Sequence, residues 1–437
     1  MNINRNGLTG LKEFFYFEDL FMTIFLFVIY LIFFSWLITR IPFFQKSGLN
    51  SRWLIGLFVL KVAAGVAYGW FFTTIPNYES TADTWKFFFQ GKQDTQLLLN
   101  HPLQYFTSIV DNPYGKEYRH LFSSVNSYWN DLKHVYMVKI VSLFNLFSGS
   151  RYYVNVILYS FLTFFGPIAF LRVMNDVFPN RLKLITCSIF LFPSFIFWSS
   201  GIHKDGLVFT LLSAAVYIMY FALKEKRLAI KQVLLIVLLI ALIFPVRNHV
   251  VLAAVPGFFA WWLAEKYFNR KWIPFLLVTI ICSTVFFAAK FINPKLDLPI
   301  SIVLRNKDFI KLGGNSFLPQ RKLEPTFIGF IKNAPQALNH ALVRPYVTEF
   351  INPLYLASAL EILFIWLLVS IWFFRYNDNP YKHSVVQFLF LVSMVLLLLT
   401  GYIVPQLGAI VRYRAIFFPY ILVPIIATID WRKNVLK

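Results

Sequence analysis

The sequence predicts an all-α integral membrane protein that crosses the bilayer about eleven times and exposes two long loops on its outer side. Three observations predict it. Apolar runs repeatedly reach the roughly 20 residues that a helix needs to span a hydrocarbon core. The chain of 437 residues is 58% hydrophobic and only 14% charged, with a mean hydropathy of +0.62. Lys and Arg also gather in alternate connections between the runs, as short cytoplasmic loops do.

Taken in order, the runs fall at about 20–39, 53–74, 151–171, 184–200, 206–223, 230–246, 248–264, 273–290, 353–374, 384–403 and 409–428, each near spanning length. The stretch Val135 to Phe147 is shorter, carries Lys139 and is interrupted by Asn145. It is expected to be a half-buried or surface-lying helix. Basic residues mark one side: Arg40, Lys46 and Arg52; Arg172, Arg181 and Lys183; Lys224, Lys226, Arg227 and Lys231; Lys266, Arg270 and Lys271; Arg375 and Lys382; and Arg432, Lys433 and Lys437. The opposite short turns hold Lys204 and Arg247. The N-terminus is therefore expected outside and the C-terminus inside.

Both long loops, 75–150 and 291–352, then lie outside. The first is rich in Trp, Phe and Tyr and is broken at Asn112-Pro113-Tyr114-Gly115, which suggests short amphipathic helices at the interface. The second is cationic, with nine Lys and Arg from Lys290 to Arg344 against Asp297, Asp308, Glu324 and Glu349. The formal net charge is +21. Because these charges lie between apolar runs, topology and anionic lipid explain them, and no nucleic-acid partner is expected. Cys187 and Cys282 sit inside apolar runs with no metal or disulfide spacing. Met1 to Asp19 lacks the pattern of a cleaved leader.

Charges near hydrocarbon are expensive unless paired or used, so they mark candidate sites. The turn Ser199-Ser200-Gly201-Ile202-His203-Lys204-Asp205-Gly206 holds three ionisable side chains between two spans; the plain alternative is a turn wetted by headgroups. Arg247, beside Asn248 and His249, occupies a very short turn. Arg412 and Arg414 open the last span, about 200° apart around a helix, so one of them faces a ligand. An arginine there suits a phosphate, to which its planar fork donates bidentate hydrogen bonds, although it also suits snorkelling to headgroups. Asp83 follows the second span within Thr81-Ala-Asp-Thr-Trp-Lys-Phe-Phe-Phe89. Lys86 is placed to make an ordinary surface pair with it. Alternatively, a carboxylate partly removed from water serves as general base on a hydroxyl. Asp205 offers a second carboxylate or a ligand for a divalent cation, for which one further acid is thin support. Lys61, inside the second span, pairs, snorkels or lines a lipid groove. Trp85 and Phe87 suit the membrane interface better than a sugar face.

This layout resembles the GT-C superfamily of membrane glycosyltransferases, in particular lipid-linked-sugar transferases of the bacterial mannosyltransferase and aminoarabinose-transferase type. The similarity runs from about residue 53 to the end and rests on short motifs. The resemblance implies that Asp83, in Asp83-Thr-Trp-Lys-Phe87, is the catalytic base of the first outer loop, and that Asp205 fills the place of a second acidic motif. It implies that the Arg412-Tyr413-Arg414 signature contacts a polyprenyl phosphate. Where several relatives carry two acids, this chain has His203-Lys204-Asp205, which weakens a metal and favours a phosphate-facing lysine.

Residues 1–52 then form an extra span and cytoplasmic loop, and 53–437 the GT-C-like catalytic core, without the separate soluble domain of that superfamily. The expected activity is transfer of a sugar from a polyprenyl-phosphate carrier to a hydroxyl of a glycan, lipid or protein acceptor, with inversion, at the outer face of a bacterial cytoplasmic membrane. Asp83 and Asp205 are the expected catalytic residues; His203, Lys204, Arg247, Arg412 and Arg414 are the expected substrate contacts. No metal-ligand set is expected, no glycine-rich nucleotide loop occurs, and a divalent cation is the one cofactor left open. Polymerisation or ligation of lipid-linked repeat units is the alternative within the class. A flippase for an anionic lipid is the alternative outside it, although no internal repeat supports a transporter.

Overall fold

A computed structural model describes residues 5–75, 82–109, 128–313, 316–349 and 353–431, with side chains described from Leu20 in the first helix and from Asp131 in the helix that begins at Tyr128. The turn at Asn112 to Gly115 and the basic tail Arg432, Lys433 and Lys437 lie outside the described residues. Helices dominate, and among the described residues β structure is limited to two isolated bridges, Phe317 with Gln406 and Tyr376 with Ile429.

In chain order the helices are α1 (Arg5–Arg40), α2 (Pro42–Gln45), α3 (Ser51–Thr73), α4 (Asp83–Asn100), α5 (Pro102–Thr107), α6 (Tyr128–Ser148), α7 (Tyr152–Val177), α8 (Leu182–Phe190), α9 (Pro193–Ser200) and α10 (Lys204–Lys224). They continue as α11 (Ile230–Ile243), α12 (Asn248–Tyr267), α13 (Trp272–Ile292), α14 (Leu298–Lys311), α15 (Phe327–Leu342), α16 (Pro353–Arg375), α17 (Ser384–Ile403), α18 (Leu407–Ala415) and α19 (Phe418–Ala427).

Among the described residues, seven helices are long and apolar enough to cross a membrane: α1 from Leu20, α3, α7, α10, α13, α16 and α17. The count rises to nine if two bent pairs each make one span: α8 with α9, bent by 62°, and α18 with α19, bent by 55°. Proline accounts for the first break, because Pro193 opens α9 where its missing N–H removes a helical hydrogen bond. Pro419 at the start of α19 plays the same part in the second. The two remaining expected runs are also helical but differ in kind. α11 has only 14 residues, and α12 is diluted by Asn248, His249, Pro256 and Gly257. Helices on the rim present apolar side chains outward, as with Phe21, Ile24, Phe25 and Ile32 on α1, which suits contact with hydrocarbon.

The two long connections contain helices, as their composition suggests: α4, α5 and α6 in the first, α14 and α15 in the second. The run at 135–147 is the C-terminal part of α6. It buries Met137, Val138 and Val141, and Lys139 pairs with Asp94 at 2.8 Å while lying 3.7 Å from the centre of the Tyr105 ring.

The chain divides into two compact units. One comprises Met1–Ile109, Val135–Phe165 and Ser200–His203. Its core is aromatic: Phe44 packs on Phe164 and Phe165, and Phe58 on Phe164. Within it Lys61 of α3 is buried and donates to Ser200 Oγ at 3.4 Å, so this mid-span lysine has a polar partner. Gly201 is required as glycine, because a Cβ there would lie 2.1 Å from Cδ1 of Tyr68.

The other unit comprises Val110–His134, Gly166–Ser199 and Lys204–Lys437. Here α10 packs along α11, and α12 along α13 and α17. Tyr220 and Lys224, at one end of α10, bind Asp176 at 2.6 and 2.7 Å. At its other end Asp205, in the first turn, is bonded to Arg247 in the turn between α11 and α12. α11 and the turn after it therefore return along the whole height of α10. Tyr420 stacks on Phe209 and meets Phe170 edge-on, and its hydroxyl bonds to Ser213 at 2.7 Å, which locks α19 against α10.

Candidate functional site

In the first unit, Asp83 is the first residue of α4, where unpaired N–H groups and the helix dipole favour a carboxylate. The following turn is fixed by three contacts. Thr84 Oγ1 and the Tyr152 hydroxyl lie 2.7 Å apart, Trp85 Nε1 donates to the Gly69 carbonyl at 3.1 Å, and the Trp85 and Tyr152 rings stack at 3.9 Å. Trp85 and Phe87 are thus buried packing residues.

The partner of Asp83 is His203, whose Nε2 lies 3.1 Å from Oδ2. His203 is fully buried, whereas the Asp83 side chain is 41% exposed. A buried imidazole therefore orients a carboxylate that still reaches solvent. The backbone of His203 is held as well, since Tyr159 donates its hydroxyl proton to the His203 carbonyl. Lys86, the expected surface partner of Asp83, is exposed.

In the second unit, Asp205 lies in the first turn of α10 and is fully buried. Arg247 Nη2 donates to its Oδ1, and Arg412 Nε stands 3.4 Å from its Oδ2. Both guanidinium groups also lie near the Tyr413 ring, at 4.5 and 5.2 Å from its centre, and Arg412 is 5.9 Å from that of Trp198. Cation–π contacts of this kind orient an arginine without neutralising it. Both oxygens of Asp205 thus face arginines.

Further cations surround this group. Lys133 of α6, Lys204 and Arg305 of α14 lie close enough to Arg247 or to one another to interact electrostatically, and His249 faces the same charges. Burial pushes the Lys133 ammonium down to about 7, and the neighbouring Arg305, Lys204 and Arg247 reinforce the shift. Burial also lowers Arg305, opposed by Tyr413 and Asp308. Among the described residues no group of three His, Cys, Asp or Glu side chains is placed to hold a metal ion.

No family model, curated protein or solved structure matches the chain. The reading of the site therefore rests on its own chemistry.

The two arginines of the Arg-Tyr-Arg motif part company, as their angular separation requires. Arg412 faces Asp205. Arg414 is buried and donates to the carbonyls of Ala341 and Arg344 and, at 3.2 Å, to Ser358 Oγ, so its fork is spent on holding α15 and α16. Sequence reasoning counted Arg305 only among the cations of the second long loop and did not name Lys133. Lys133 stands two residues before the apolar run that starts at Val135 in α6, and that proximity is the signal that could have singled it out. Tyr413 was passed over because its neighbours carry the charge.

Proposed function

We propose that the protein is a membrane glycosyltransferase of GT-C type that takes its sugar from a polyprenyl-phosphate carrier and transfers it to an acceptor hydroxyl at the outer face of the cytoplasmic membrane. On this reading α11 and α12 both cross, giving about eleven crossings, and counting or omitting the two together leaves every other segment on the same side. The observation that carries the proposal is the buried Asp205 with Arg247 and Arg412 on its two oxygens. Fixed cations facing a water-poor site recognise phosphate and stabilise the charge that grows on it.

The sequence motif, rather than the arrangement of the two units, makes Asp83 the base in this proposal: the acceptor hydroxyl gives its proton to the Asp83 carboxylate, which His203 orients. The acceptor oxygen bonds to the anomeric carbon, and the bond from that carbon to the phosphate oxygen breaks. The bonding pair leaves with the phosphate, which departs as the carrier anion toward Arg247 and Arg412. Direct displacement inverts the anomeric centre. Asp205 keeps the arginines apart and aimed, so it acts as a positioning residue.

Binding of a polyprenyl-phosphate sugar to the purified full-length protein in nanodiscs tests the phosphate assignment. Arg412→Gln is expected to weaken binding by about tenfold or more, the worth of one charge-assisted contact. Unchanged affinity in a folded Arg412→Gln variant would remove the basis of the proposal.

A further inference from the structure

In the second unit, the first turns of α15 are apolar on both faces. The inner face carries Phe330 and Ala337, buried with Val303, Leu323 and Tyr402 and packed by Phe286 and Phe287 of α13. The Tyr402 hydroxyl donates to the Phe330 carbonyl at 2.7 Å, so this side is fixed by a hydrogen bond as well. The outer face carries Phe327, Ile328 and Ile331, each more than half exposed, followed by the exposed Lys332. A helix resting on a protein in water keeps polar side chains on its outer face, and α15 does the reverse over these turns.

The neighbour of these turns accounts for the exposed carbon. The Phe327 ring meets that of Phe287 edge-on, with centroids 5.4 Å apart. Phe287 precedes the end of α13 at Ile292 by roughly 8 Å along the helix axis. α13 is long and apolar enough to cross a membrane, and Val285, Phe291 and Ile292 near this end are exposed too. The start of α15 thus extends the apolar surface of the last turns of a spanning helix, where hydrocarbon is the fitting cover.

Cations border that surface. The Arg321 N–H donates to Gln336 Oε1 at 3.0 Å, and Asn333 Nδ2 donates to the Lys322 carbonyl at 3.5 Å. The segment before α15 therefore folds back along the helix and brings Arg321 and Lys322 beside Lys332. All three are exposed, and Glu324 is the single carboxylate between Arg321 and Lys332. We infer that this face binds anionic phospholipid, with acyl chains on Phe327, Ile328 and Ile331 and the headgroup phosphate on Arg321, Lys322 and Lys332. Apolar area beside cations is the pairing by which a helix seats itself in an anionic leaflet. α15 also supplies the Ala341 and Arg344 carbonyls that hold Arg414, so lipid seated at its start steadies the element on which that arginine rests.

The test places a fluorophore on the face. Ile328→Cys, labelled in the full-length Cys187→Ser, Cys282→Ser protein, is reconstituted in nanodiscs of phosphatidylcholine with a minor fraction of phosphatidylglycerol. Bromine is carried on the acyl chains of one lipid or the other at equal mole fraction, and it quenches the fluorophore on contact. Three basic residues at about fivefold each, offset by Glu324, predict that brominated phosphatidylglycerol is preferred at this position by about tenfold or more. The exposed triple variant Arg321→Gln, Lys322→Gln, Lys332→Gln should unfold at the wild-type temperature and show a preference of about twofold or less. Equal quenching by the two lipids would overturn the anionic headgroup, and a preference unchanged in the triple variant would overturn its assignment to these cations. Quenching by neither lipid, the result if water or a second copy of the chain covers the face, would overturn the inference altogether.

Discussion

Asp205→Asn is the substitution whose outcome follows most directly from the geometry. Asp205 is fully buried and Arg247 is 6% exposed. Removing one charge from a buried pair leaves the other without compensation, at about 3–5 kcal/mol. The contact to Arg412, whose side chain is 22% exposed and 3.4 Å away, adds about 0–1 kcal/mol. The expected loss is therefore about 4 kcal/mol. With about 2.1 cal/mol/K of unfolding entropy per residue, 437 residues give about 0.9 kcal/mol/K, so Tm should fall by about 4 °C. Thermal unfolding of the purified protein, followed by intrinsic fluorescence, reads this shift. A double-mutant cycle with Arg247→Gln should return a coupling of about 1–3 kcal/mol, because the second change removes the charge that the first strands. A Tm for Asp205→Asn equal to that of wild type, or strict additivity in the cycle, would refute the view that Asp205 anchors the arginines.

Other outcomes follow from the same structure. Lys133 is held near 7 in the free protein, so an arriving anion beside it raises it, and affinity for an ionised phosphate ligand that approaches Lys133 should be greatest below pH 7 and fall as pH rises through it. Affinity that is flat between pH 7 and 9, or a slope unchanged in Lys133→Gln, would contradict this. Gly201→Ala should destabilise by about 1–3 kcal/mol, since the new methyl overlaps the Tyr68 ring, and Tyr68→Leu should recover part of the loss in the same unfolding assay. Glu361 Oε1 accepts from Ser194 N at 3.1 Å and Ser194 Oγ at 2.9 Å beside the break before α9. Glu361→Ala should therefore lower stability by about 1–3 kcal/mol and Glu361→Gln by less, because the amide oxygen can still accept.

Much of the helical layout could be read from the chain, because hydropathy is a local property and the apolar runs are long. The helices at 20–39, 53–74 and 273–290, long and apolar enough to cross a membrane, needed nothing beyond length and composition to foresee. The breaks at Pro193 and Pro419 were less visible, since proline within a run shows that a helix is disturbed but not whether it bends or ends. In the candidate site, helical geometry was enough to foresee that Arg412 and Arg414 diverge. Which of the two faces Asp205 depends on Ala341, Arg344 and Ser358, far away in sequence. His203 and Asp205 read as one cluster, yet the first serves Asp83 and the second Arg247 and Arg412. Pairings of that kind are tertiary, as is the gathering of Lys133 and Arg305, and composition carries no trace of them.

The central claim is catalysis of glycosyl transfer with Asp83 as the base. Turnover of a radiolabelled sugar from a polyprenyl-phosphate or diphosphate donor, measured with purified wild type and Asp83→Asn, tests it most directly. Because Asp83 is 41% exposed, the variant should fold normally while its rate falls by about 10²–10⁴, the usual worth of a general base. Equal turnover by the folded Asp83→Asn protein would contradict the account.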